Sequence, residues 1–76
     1  MSSPSGDVID GAQQAAALRT RARTVARTAD AMAARASAMP SGAPREMLEA
    51  QARIMRDGAR RLEAEALAVD PPRGRA

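Results

Sequence analysis

Residues 15–39 read AAALRTRARTVARTADAMAARASAM, and residues 48–69 read LEAQARIMRDGARRLEAEALAV. In the first stretch apolar residues recur at Ala15, Leu18, Ala22, Val25, Ala29, Met32, Ala36 and Met39. In the second they recur at Leu48, Ala52, Met55, Ala59, Leu62, Ala66 and Val69. Steps of three and four alternate throughout. That spacing holds one stripe on one side of a helix and is the seam of a coiled coil. Within each stripe a bulky residue alternates with alanine. Between the stretches lies Pro40-Ser41-Gly42-Ala43-Pro44, which breaks any helix running through it.

Folding the chain back at Gly42 makes the two stripes complementary. Ala36 then faces Leu48, Met32 faces Ala52, Ala29 faces Met55 and Val25 faces Ala59. Further along, Ala22 faces Leu62, Leu18 faces Ala66 and Ala15 faces Val69. Each layer sets a large side chain against a methyl, which lets two helices approach closely without voids. The same register puts Arg19 beside Glu63 and Arg21 beside Glu65, opposite charges at the flanking positions that set orientation. A parallel pairing of two first helices would stack alanine on alanine and leave gaps. The predicted fold is therefore all-α: an antiparallel two-helix hairpin with a coiled-coil-like seam, able to assemble further into a four-helix bundle. Leu18, Val25, Met32, Leu48, Met55 and Leu62 are expected to hold it.

The expected organisation is a flexible lead over residues 1–6, a hairpin over 7–70 and a disordered tail over 71–76. Within the hairpin, one helix spans about 8–39, a turn 40–44, and a second helix about 45–69. Ser5 or Asp7 can cap the first helix, and Asp7 and Asp10 favour its positive end. Alanine and arginine are strong helix formers. Pro44 suits the first turn of the second helix, where its missing N–H costs nothing. Gly11 falls on the seam and weakens the first turns, and Gly58 lies inside the second helix, off the seam.

Composition narrows the function. The 76 residues include no Phe, Trp, Tyr, Cys, His, Lys or Asn, and every basic residue is Arg. The missing types are largely those with AT-rich codons, a bias that points to a GC-rich, bacterial genome. Net charge is +3, too mild to dictate a polyanionic partner. Without His or Cys, the usual metal ligands and nucleophile–base pairs are missing, so neither enzymatic activity nor a metal or other cofactor is expected, and no small-molecule substrate. The carboxylates sit among arginines on helix faces, as solvated surfaces do. Met1-Ser2-Ser3-Pro4-Ser5-Gly6 lacks the basic start and apolar core of a signal peptide, and no apolar run reaches membrane-spanning length. The expected compartment is the cytoplasm.

Two features remain as candidate sites. Met47, Ala50, Ile54 and Ala68 lie off the main seam of the second helix and either widen the hairpin core or form a stripe on which another helix docks, with Met47, Ala50 and Ile54 the partner-contact candidates. Arg19, Arg21, Arg23 and Arg27 form the densest basic run. Arg23 and Arg27 share a face and could contact phosphates, although no aromatic residue is present to stack on bases.

Pro44-Arg45-Glu46-Met47-Leu48-Glu49-Ala50-Gln51 resembles the start of the second helix in type III secretion needle subunits, which are short helical hairpins with a Pro- and Ser-containing turn. Ala15-Ala16-Ala17-Leu18-Arg19 and Gln51-Ala52-Arg53 are similar to segments of the co-chaperones that keep needle subunits soluble. This chain departs from needle subunits in having no aromatics and a shorter second helix. The resemblance implies an assembly subunit or a chaperone acting through its hairpin face.

The functional expectation is a non-catalytic hairpin that mediates protein–protein association, with a second copy or a larger protein, through Met47, Ala50 and Ile54. The competing expectation is a nucleic-acid-binding accessory protein acting through Arg23 and Arg27.

Overall fold

The computed structural model describes residues 11–71. Two α-helices of equal length, α1 (Gly11–Ser37) and α2 (Ala43–Val69), pack against each other as an all-α hairpin. They are antiparallel: Gly11 at the start of α1 approaches Val69 at the end of α2, and Met39 lies within hydrogen-bonding reach of Arg45. The expected lead, the caps at Ser5 and Asp7, Asp10 and the tail beyond Pro71 lie outside the described residues.

α1 ends at Ser37, two residues short of Met39. The chain tightens as it leaves the helix: the Ala38 and Met39 amides donate to the carbonyls of Arg35 (3.1 Å) and Ala36 (3.0 Å). These three-residue bonds take up carbonyls that a helix end would leave unpaired. Ser37 Oγ donates to the Ala33 carbonyl at 3.2 Å. Across the turn, Arg45 Nη1 donates to the Met39 carbonyl at 3.3 Å.

Gly42 reverses the chain. Its φ of 149° and ψ of −179° lie in a region essentially closed to residues with a Cβ. Its carbonyl accepts the first amide bond of α2, from Glu46 at 3.1 Å. α2 therefore begins at Ala43, ahead of the start expected at residue 45. Pro44 becomes the second helical residue, where its missing N–H still costs nothing. At the far end Asp70 leaves the helix at φ −141°, as a residue before proline must.

The seam is occupied differently from the sequence expectation. The buried side chains among the described residues are all alanines: Ala15, Ala22, Ala29 and Ala36 of α1, and Ala52, Ala59 and Ala66 of α2. Leu18, Val25, Met32, Leu48, Met55 and Leu62 are only half-buried. Alanine methyls occupy the line of contact, and the bulky side chains lie over it. With two helices and no third layer, nothing larger than a methyl is surrounded on all sides.

The glycines obey the same geometry. A Cβ at Gly11 would lie 3.0 Å from the Val69 carbonyl oxygen, so glycine there permits close approach of the helix ends. A Cβ at Gly58 would meet nothing within 4 Å. Gly58→Ala is therefore expected to stabilise the hairpin by about 0.4–1 kcal/mol, because alanine narrows the unfolded ensemble and meets no obstacle in the helix. A rise in the thermal midpoint followed by circular dichroism checks this; a fall means the glycine serves a contact that the hairpin alone does not show.

Candidate protein-docking face

In both helices the bulky residue comes three positions after the buried alanine. The offset turns it to the same side of the seam in the sense of each chain direction. Because the helices run antiparallel, both bulky rows emerge on one face of the hairpin. The linings of two open hollows on that face agree. One, of about 480 Å³ beside the turn, brings together Arg35 and Met39 of the α1 end with Pro44, Met47, Leu48 and Gln51 of α2. The other, of about 320 Å³ at the opposite end, brings together Gln14, Ala17, Leu18 and Arg21 with Glu65 and Val69.

Met47 and Ile54 extend this face along the outer side of α2. They are 64% and 70% exposed, so the hairpin core makes little use of them. Each immediately precedes a bulky seam residue, Met47 before Leu48 and Ile54 before Met55, which sets it about 100° further round the helix, and Met47 lines the hollow beside the turn with Leu48. Ala50 lies between them on the helix surface and is half-buried. The opposite face is charged. Arg56 Nη2 donates to Asp30 Oδ1 at 2.9 Å, which among the described residues is the one ion pair joining the two helices. Arg45 binds Glu49 within α2 at 3.1 Å, and Arg60 binds Asp57 at 3.3 Å. These are exposed or half-exposed pairs, each contributing about 0–1 kcal/mol.

No protein-family model matches the chain, and no curated protein or solved structure does.

The flanking charges depart from expectation in detail. Arg21 and Glu65 line one hollow, and Arg19 and Glu63 line another of about 250 Å³ on the charged side, but neither couple closes into an ion pair. Instead Arg56 is the flanking arginine of α2 that reaches across, to Asp30 of α1. Arg23 is exposed and shares its hollow with Arg19, Glu63 and Leu67, so a carboxylate stands within the basic run. Arg27 is also exposed. Leu67, 53% exposed, lies on this charged side and was not legible as a surface residue from the seam pattern. Its neighbours Ala66 and Ala68 blur the periodicity there. Among the described residues no group of three acidic side chains gathers as a metal site, and no helix is long and apolar enough to cross a membrane.

Proposed function

We propose that this chain is a non-catalytic helical hairpin that mediates protein–protein association through its apolar face, with the cytoplasm as its compartment. One observation carries the reading: two rows of bulky side chains, from both helices, share a face on which none is fully buried, and Met47 and Ile54 widen it. Apolar side chains gathered on one face and left in water are a feature of association surfaces, which supports this reading. An amphipathic helix laid along it would find anchors at helical spacing. The local resemblance to needle subunits and their co-chaperones supports the same class of role, assembly or chaperoning.

The test uses two surface variants. Ile54→Asp is expected to abolish association while leaving the helical circular dichroism unchanged, because the side chain it replaces packs on little within the hairpin. Arg23→Glu combined with Arg27→Glu should leave association intact. The opposite pattern, with retardation of a nucleic acid at low salt that is lost in the arginine variant, would replace this reading with the nucleic-acid one.

A further inference from the structure

Resting on that reading, we propose that the occupant of the apolar face is a second copy of this chain. The two hairpins pack face to face with their turns at the same end, α1 of each lying on α2 of the other, as a four-helix bundle.

Size is the first argument. A face two 27-residue helices wide is about 40 Å long and about 20 Å across, roughly 800 Å² on each copy, which is what a stable interface takes from each partner. Self-complementarity is the second. The seam, with Ala29 opposite Met55 and Ala36 opposite Leu48, sets to within a residue which positions of the two helices stand level. At that register Ile54 of α2 is level with Ala31 of α1, and Met47 with Ala38. Ala31 and Ala38 are exposed and occupy, on α1, the row that Ile54 and Met47 occupy on α2. A twofold axis parallel to the helices keeps these levels and sets the large residues of one copy against the alanines of the other. The rule that joins the helices within one chain, bulk against methyl, thus repeats between chains.

Charge selects this orientation over the other symmetric one. Arg21 and Arg35 lie within the face on α1, between its bulky row and the row of Ala31 and Ala38, and Glu65 holds the matching place on α2. With α1 on the partner's α2, Arg21 stands level with a glutamate of the second copy, and twofold symmetry repeats the pair. With α1 on α1, the arginine-bearing edges of both copies would line the same side of the bundle. Like charges gathered on one side of the bundle weaken association.

Sedimentation equilibrium and cross-linking test the proposal. The full chain is expected to sediment as a dimer. Arg21→Glu should weaken the dimer roughly tenfold, since two symmetric pairs are lost, and Glu65→Arg added to it should restore the dimer. The chain has no cysteine, so Ala31→Cys and Ile54→Cys can be introduced singly. Mixed and oxidised, the two single variants should yield a disulfide-linked heterodimer. A homodimer formed by Ile54→Cys alone in preference to the mixed species overturns the orientation. A monomer at all concentrations overturns the second copy as occupant. If that monomer still binds another protein in an Ile54-dependent manner, the association reading stands without this proposal; if it binds none, both fail.

Discussion

Ala29→Leu is expected to unfold the hairpin, and to do so more severely than trimming any of its bulky residues. Ala29 is completely buried, midway along the seam. Its methyl is sealed against α2, and the register places Met55 opposite. A leucine there brings three more carbons to a side chain already sealed from water. The helices can make room only by separating, and separation lifts Ala22, Ala36, Ala52 and Ala59 out of contact as well. Overpacking of this kind costs about 1–3 kcal/mol, occasionally more. A chain of this size has little stability to lose. The measurement is far-ultraviolet circular dichroism on Ala29→Leu beside Leu62→Met. The second variant conserves volume at a half-exposed site and is expected to shift stability by less than about 1.5 kcal/mol. Equal melting of Ala29→Leu and the parent chain would show that the alanine line is not what holds the helices together.

The second large effect is expected at the turn. Gly42→Ala forces a Cβ into a backbone conformation, φ 149° and ψ −179°, that such residues scarcely adopt. Holding it there costs on the order of 1–3 kcal/mol. The penalty falls on the residue whose carbonyl starts α2 by accepting the Glu46 amide. Relaxing the strain would misdirect that helix and break the reach of Arg45 to the Met39 carbonyl. Ser41→Ala, one residue earlier, involves neither a positive φ nor an α2 cap and serves as the control. The thermal midpoint should fall markedly for Gly42→Ala and hardly at all for Ser41→Ala. Similar midpoints for the two would mean the chain reverses without relying on the glycine.

These two variants also separate what is local in this molecule from what is not. The turn was legible because proline and glycine act on their own dihedrals and those of their neighbours. Its edges moved by two residues because Ser37, Ala38 and Arg45 redistribute the hydrogen bonds at the helix ends. The seam was legible because a stripe of period 3.5 needs no knowledge of its partner. The candidate docking residues Met47 and Ile54 were legible as off-seam apolar positions. That they border a face shared with Met39 and Leu18 of α1 was not, since that depends on how two helices are placed in space. Leu67 escaped notice because Ala66 and Ala68 on either side blur the periodicity there. The ion pair between Asp30 and Arg56 escaped because long side chains reach away from the level at which their backbones stand.

By itself, the sequence determined that there are two helices, where the chain doubles back, and which edge of each helix meets the other. All three follow from spacing and from residues whose backbone preferences are intrinsic. Only the tertiary structure decided that alanine methyls are sealed while leucine, valine and methionine remain half in water, and that the bulky rows open on one side. Burial is set by how near the helices come and how many layers cover them, and neither quantity is written in the spacing of a single strip of chain.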